Sequence, residues 1–477
     1  MIKNPRNFMY AFFFKTSNYW IQFLICFCLS LAPFFAYSVG EDPIVVRLST
    51  DSSLAPLYLA PFTIEQTNFS PSYLKQLEDI LTFDLKHNGS TYLLKRNASN
   101  DQLANAGALE DLGIAQTWQA QNIFYVIKGI IKENFLQVFI LSTNTQNLKK
   151  CDPVMLTGDL SQDRRLIHRI ADTIHKALFG VEGVASTKIL YTVKTSLVDN
   201  KQKLSSEVWE ADYDGENARQ ITQEKSFCVN PTYIPPRKGF LSGNFLYVSY
   251  QAGQSKIYIA NLKDGKGQRL LKLKGNQLMP TLSQQRDKIA FISDATGNPD
   301  LFLQLFNSET GVIGKPQQIF SAKLATQSTP SFNPDGTKVA FVSDKDGSPK
   351  IYVIAIPEPG TSLKNIKATL ITKRNRESSA PAWSPDGTKI AYCSRTDGIR
   401  QIWIYDFTTN QEKQLTQGPI NKENPSWAPN SLHLVYNSAD TNDSQLYLIN
   451  LKQTEATRIT SGKGEKRYPN WELRFDR

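Results

Sequence analysis

Pro381-Ala-Trp-Ser-Pro-Asp-Gly-Thr-Lys-Ile-Ala-Tyr-Cys-Ser394 is two strands joined by a tight turn. In Ser384–Thr388 the proline pre-sets the first turn φ, the aspartate bonds its own backbone and the glycine takes positive φ. Pro330–Ser343 repeats the pattern almost letter for letter. Looser copies begin at Pro231-Thr-Tyr233, Pro280-Thr-Leu282, Pro425-Ser-Trp427 and Pro469-Asn-Trp471. The six copies are spaced 49, 50, 51, 44 and 44 residues apart. Self-similarity at this period marks stacked units, because one unit cannot bury its own apolar faces.

Each unit continues with a third strand, of which Gln401–Asp406 is typical, and a short fourth one ending in Ile-Thr or Leu-Thr, as at Thr222, Thr372, Thr416 and Thr460. The array opens at Lys188-Ile-Leu-Tyr with a second-type strand and closes at Pro469-Asn-Trp471 with a first-type strand. The C-terminal segment therefore completes the blade begun at Lys188, which closes a ring and removes its edges. The expectation is an all-β six-bladed propeller over 188–477. An open solenoid has no reason for this offset of phase.

Residues 41–180 lack the repeat. Ser70-Pro71 offers a helix cap with proline at the first helical position. Leu74, Leu77, Leu81 and Leu85 follow on one face, and Leu166, Ile170, Ile174 and Leu178 mark a second helix over about 162–179 that stops at Gly180. Strands are expected at Leu57–Phe62 and Thr91–Lys95, with a hairpin of Ile123–Ile131 and Phe135–Leu141. These make an α+β domain over 39–180, two helices packed on a sheet, with 181–187 as linker.

Residues 1–40 carry no acid. Lys3, Arg6 and Lys15 precede an apolar stretch from Trp20 to Phe35. This reads as a signal peptide over 1–38, cleaved after Ser38 or after Gly40, against an uncleaved anchor of marginal length. Export to the periplasm follows, with no transmembrane span in the mature chain. The formal charge is +10, and +7 once the three basic residues of 1–38 are removed. That excess is spread out, which argues against nucleic-acid binding. Cys151, Cys228 and Cys393 are an odd number without CxxC spacing, so neither a disulfide framework nor a zinc site is expected.

No nucleophile elbow or HExxH pair is present, and Asp212-Tyr-Asp-Gly215 and Asp344-Lys-Asp-Gly347 lack the glutamate that completes a calcium loop. They read as turns. No cofactor and no metal is expected. His168 lies with Arg164, Asp172 and Lys176 on what reads as the solvated side of its helix. Trp383, Trp427, Trp471 and Phe332 recur at one place per blade and read as core between blades.

The pattern at 330–343 and 381–394 resembles the propeller repeat of the TolB family. More specific is Arg165-Leu-Ile-His-Arg-Ile-Ala-Asp-Thr-Ile-His175, running through Leu178, Gly180 and Gly183 to Lys188-Ile-Leu-Tyr-Thr-Val193. This is similar to the family's helix, linker and first propeller strand. Glu207–Gly215, Ala60-Pro-Phe62 and Asp111-Leu-Gly-Ile114 are similar too, and the resemblance covers about 41–477. It implies a monomeric periplasmic binding protein of the Tol–Pal system, not an enzyme. Its implied partners are the peptidoglycan-associated lipoprotein Pal, docked in the funnel, and the inner-membrane protein TolA, reached through the N-terminal segment. Its implied roles are outer-membrane integrity, constriction at division and protein import. Ile44, Val45, Val46, Arg47 and Leu48 occupy that N-terminal segment.

Connections from the outer strand of one blade to the inner strand of the next should converge on the channel mouth. They are 226–230, 276–279, 327–329, 374–379, 421–424 and 465–468. Arg374, Arg376, Asn421, Glu423, Lys466, Arg467 and Tyr468 are the candidate partner contacts, chosen by position and because Arg and Tyr combine area with directional bonding. Two other readings compete. A glycan-binding or outer-membrane assembly propeller leaves residues 41–187 unexplained. A metal-dependent propeller enzyme would need inward ligands that Thr232, Thr281, Ser331, Ala382, Ser426 and Asn470 do not supply.

Overall fold

The computed structural model describes residues 54–108, 110–195, 205–440, 443–453 and 455–475. The apolar leader and Ile44–Leu48 lie outside the described residues.

The N-terminal domain is a sheet in the order β3-β1-β4-β5-β6. Its strands are β1 (Ala55–Leu59), β2 (Thr63–Glu65), β3 (Thr91–Leu93), β4 (Tyr125–Lys132), β5 (Phe135–Ser142) and β6 (Asn147–Lys150), with β7 (Val154–Met155) pairing onto β5. β2 prolongs the line of β1 along β4, the two separated by Ala60-Pro61-Phe62. Two helices cover one face. α1 (Pro71–Lys86) starts where Ser70 Oγ accepts from Tyr73 N (3.3 Å), and the long C-terminal helix (Leu160–Phe179) stops at Gly180, whose φ is +74°. The sequence pattern misses two short helices, α2 (Ala98–Ala104) and α3 (Ala115–Ala120), on the other face. They cover Tyr58, Val126 and Phe139, with Trp118 fully buried. The long helix is α4.

The ring has six four-stranded antiparallel blades. Blade 1 takes its inner strand, Glu465–Trp471, from the far end of the chain and its other three from Lys188–Thr195, Ser205–Asp212 and Arg219–Gln220. Blades 2 to 6 begin with the inner strands Cys228–Tyr233, Gln277–Leu282, Gln327–Phe332, Ser378–Trp383 and Lys422–Trp427. The offset of phase thus closes the ring as expected. Apolar clusters fill the five seams from blade 1 to blade 6, one per seam. Trp427, Trp471 and Phe332 are buried, while Trp383 stacks on Phe407 at 5.2 Å between centroids.

The closing seam between blades 6 and 1 differs. Its apolar residues, among them Val435, Leu448, Ile459, Ile189 and Trp471, form one cluster with Leu77, Leu81, Ile167 and Ile174 of α1 and α4. The N-terminal domain therefore packs where the ring is joined.

The recurrent threonines have a clear task. Thr222, Thr372, Thr416 and Thr460 follow the fourth strands, where backbone pairing with the third strand ends. Their hydroxyls accept from the amides of Val208, Ile351, Ile402 and Leu446 at 2.8–3.1 Å. Each replaces a missing ladder bond to a buried donor, a group that is costly to leave unpaired.

Candidate functional site

Antiparallel blades put the turns between strands one and two, and between three and four, on one face of the ring. The connections from blade to blade emerge on the other. The two are called here the turn face and the mouth face.

The N-terminal domain holds the turn face. Tyr213, in the outer turn of blade 1, donates to Asp84 Oδ1 of α1 (2.8 Å). His168 Nδ1 of α4 donates to Asp84 Oδ2 (2.8 Å). Asp214 lies 3.5 Å from His168 Nε2 and pairs with Arg164. Asp84 and His168 are 2% and 1% exposed, so the solvated side expected for His168 is in fact a buried contact with the ring. Burial pushes the Asp84 carboxyl up against the pull of His168 and Tyr213. For His168 burial opposes the imidazolium, but the neighbouring Asp84, Asp214 and Asp212 charges hold the ring above its ordinary value.

Asp172, expected beside it in solvent, is buried too. It accepts from Ala185 N (2.8 Å) and Ser186 N (3.0 Å) of the linker. Gly183 is required there, since a Cβ would stand 2.3 Å from Asp172 Oδ1. His433 Nε2 donates to the His87 carbonyl (2.7 Å), and His175 Nδ1 to the carbonyl of Val181 (2.9 Å). All four histidines of the chain lie where domain and ring meet.

The mouth face is built differently. Five of the six connections read as loops are already inner strand over most of their length, 374–379 being the exception. Every inner strand then breaks register just before its proline. The residue ahead of that proline is left-handed in all six: Asn230, Met279, Thr329, Ala380, Asn424 and Tyr468, with φ between +40° and +55°. Proline disfavours the right-handed helical region for its predecessor, and the bulge re-aims the chain at the channel. Past the bulge the strands clasp each other. Tyr233 N donates to Asn470 Oδ1 (2.8 Å), Trp383 N to Ser331 Oγ (3.0 Å) and Trp471 N to Ser426 Oγ (2.9 Å).

The candidate residues separate into three groups. Arg374 turns outward: its guanidinium lies 5.3 Å from the centre of the Trp403 ring, and its amide donates to Glu412 in the outer strand of blade 5. Lys466 turns inward, 6% exposed, and donates to the carbonyls of Ser461, Gly462 and Lys463; burial lowers its pKa. The other five share the mouth. Glu423 pairs with Arg400, whose amide donates to Asn421 Oδ1 (2.8 Å). Arg467 lies 2.9 Å from Glu465, which also takes Lys194 at 3.0 Å. Arg376 is exposed and has no partner among the described residues. Tyr468 is half-buried; burial pushes its phenol up, Arg467 pulls it back, and Glu423 adds to the rise.

One organiser escapes sequence reasoning. Asn437 Oδ1, in the second strand of blade 6, accepts from Asn424 Nδ2 (2.9 Å) and Tyr468 N (3.3 Å) and so holds two of the left-handed residues. Thr192, its counterpart in blade 1, donates to the Arg467 carbonyl (3.2 Å). A signal exists: blades 2 to 5 place Val248, Ile292, Val342 and Cys393 at this position.

Among the described residues no group of three or more His, Cys, Asp or Glu is placed to hold a metal, and no helix is long and apolar enough to cross a membrane.

Comparison with known proteins matches residues 175–474 to the TolB beta propeller domain. A protein TolB homolog of Protochlamydia amoebophila is 97% identical over 416 residues, covering 87% of this chain and 89% of that protein. One from Chlamydia trachomatis is 36% identical over 415 residues, 86% of each. The crystal structure of TolB from Acinetobacter baumannii superposes with a TM-score of 0.69 at 24% identity, covering 88% of this chain and 96% of that one, a likeness of fold. The chain belongs to the TolB family, the propeller proteins of the Tol–Pal system.

Proposed function

We propose that the mouth face docks a Pal-like peptidoglycan-associated lipoprotein, and that this chain acts in the periplasm as a non-enzymatic scaffold. The observation that carries the reading is the contrast in pairing across the ring. The turn face is covered over blades 6 and 1 by the protein's own domain, whereas the mouth keeps Arg376 without a partner among the described residues and Tyr468 half-buried beside the Glu423–Arg400 and Arg467–Glu465 pairs. A rim of Arg and Tyr around a preformed funnel suits a partner that presents acidic and amide groups, with the tyrosine as a central anchor. The left-handed backbone at Tyr468 fixes that side chain before binding, which reduces the ordering cost. Arg374 and Lys466 take no direct part in this reading.

The link to a TolA-like inner-membrane protein belongs to Ile44–Leu48, and with it the roles in outer-membrane integrity, constriction and import.

Calorimetric titration of residues 39–477 with the periplasmic domain of the cognate Pal-like protein tests the docking. One-to-one binding is expected, weakened by Arg376→Ala and by Tyr468→Ala. A folded protein that gives no heat with this partner would remove Pal from the reading.

A further inference from the structure

Blades 2 and 3 depart from the repeat on the turn face. Where blades 4 and 5 carry the tight Pro-Asp-Gly turn, blade 2 carries a longer loop, Ile234-Pro-Pro-Arg-Lys-Gly-Phe-Leu-Ser-Gly243. Phe240 and Leu241 at its tip are 70% and 58% exposed. A Cβ added at Gly239 or Gly243 would meet nothing within 4 Å, so the tip stands clear of the body. Blade 3 differs in its outer strand, Gly311–Phe320, which has ten residues where the other blades have two to four. Val312 and Ile313 on it are exposed as well.

The two irregularities are joined, because Arg237 of the loop pairs with Glu309 in the blade 3 outer turn. Arg237 also faces Arg286 in the inner turn of blade 3, whose guanidinium is pushed down by burial and by that like charge. Lys238 and Lys315 add two more exposed cations. An apolar wedge set in a basic collar is costly to expose without a use.

We propose that the Phe240–Leu241 tip with its collar of Arg237, Lys238 and Arg286 is a docking surface for an anionic phospholipid bilayer. The tip is exposed and stands clear of the body, suited to entering the boundary between headgroups and acyl chains. The collar supplies the charge complementary to anionic headgroups. The N-terminal domain sits over blades 6 and 1 and leaves this sector of the turn face free. A molecule held this way would direct its mouth away from the membrane, which leaves the mouth open to a partner.

The test is co-sedimentation of residues 39–477 with vesicles of phosphatidylglycerol in phosphatidylcholine, and with phosphatidylcholine alone. Wild type should sediment with the anionic vesicles and be released by salt. F240S/L241S should bind about tenfold more weakly or worse, from loss of the buried apolar area. K238E should bind more weakly at low ionic strength, with the difference shrinking as salt rises. Leu324, 91% exposed on the opposite face, is the control, and L324S should bind like wild type. All the substituted side chains are exposed, and unchanged thermal melting verifies the fold. A wild type that ignores both vesicles overturns the proposal and assigns the patch to a protein partner. Binding that survives in F240S/L241S, or that L324S loses equally, overturns it too.

Discussion

The two faces of the ring use the same repeat for opposite ends. On the turn face, where blades 6 and 1 meet, Asp84, His168 and Tyr213 are nearly solvent-free and bonded to one another. On the mouth face the charged groups are more open to solvent: Arg400 pairs with Glu423 from blade 5 to blade 6, Arg467 with Glu465 along one strand, and Arg376 is exposed with no partner among the described residues. Buried polar networks carry large penalties when one member is lost, whereas exposed pairs contribute little to stability. The difference teaches where each face spends its residues: one holds the two domains together, the other is available for recognition.

The largest effect should come from Asp84→Ala. It strips His168 and Tyr213 of a shared acceptor, and about 3–5 kcal/mol of unfolding free energy should be lost in urea titrations. A loss under 1 kcal/mol would mean that the seam is not the strong contact described.

Acid should act on the same seam. His433 is fully buried, and burial lowers its pKa to about 4. The unfolded ring titrates near 6.5, so the unfolded state binds the extra proton first. Stability from neutral His433 is therefore present above about pH 6.5 and falls as pH drops toward 4, by up to about 3 kcal/mol. His168, raised by Asp84, has the opposite sign; its contribution is present below pH 6.5 and is lost as pH rises through its folded value. Denaturation of His433→Gln between pH 7 and 4 should show a shallower acid loss than wild type.

Gly215→Ala comes next. Gly215 has φ +90° and a Cβ there would stand 1.6 Å from the Ile459 carbonyl oxygen, across the closing seam. Backbone strain and displacement of blade 6 should cost about 2 kcal/mol, read as a lowered Tm.

The smallest stability effect belongs to the mouth. Arg376→Ala should shift unfolding by less than about 0.5 kcal/mol yet weaken partner binding by about 1–2 kcal/mol. If it destabilised the fold as Asp84→Ala does, the division of labour between the faces would fail.

The ring was legible in the sequence because closure is a matter of counting. Pro469-Asn-Trp471 lacks its followers and Lys188-Ile-Leu-Tyr lacks its predecessor, so the two must meet. α1 and α4 were legible from their leucine and isoleucine spacing. α2 and α3 were not, since seven and six residues are too few to show a helical period. His168 was misjudged for a different reason. On its own helix it stands among Arg164, Asp172 and Lys176, and the groups that bury it, Asp84 and Tyr213, come from other elements. At the mouth, position along the repeat locates the connections from blade to blade, but not which side chains turn away. Arg374 and Lys466 are aimed by Trp403 and by the 461–463 carbonyls, contacts that no local pattern announces.

Among the described residues the strand Glu465–Trp471 comes after every other, yet it pairs with Lys188–Thr195, the first strand of the ring. A chain made from its N-terminus therefore waits with blade 1 open and the footing of the N-terminal domain incomplete until this strand arrives. Pairing across so long a loop is slow to establish, and until then an unpaired edge is exposed to neighbouring chains. Fidelity of maturation is thus concentrated in a latch of seven residues, and a lesion there would be felt at the opposite end of the sequence.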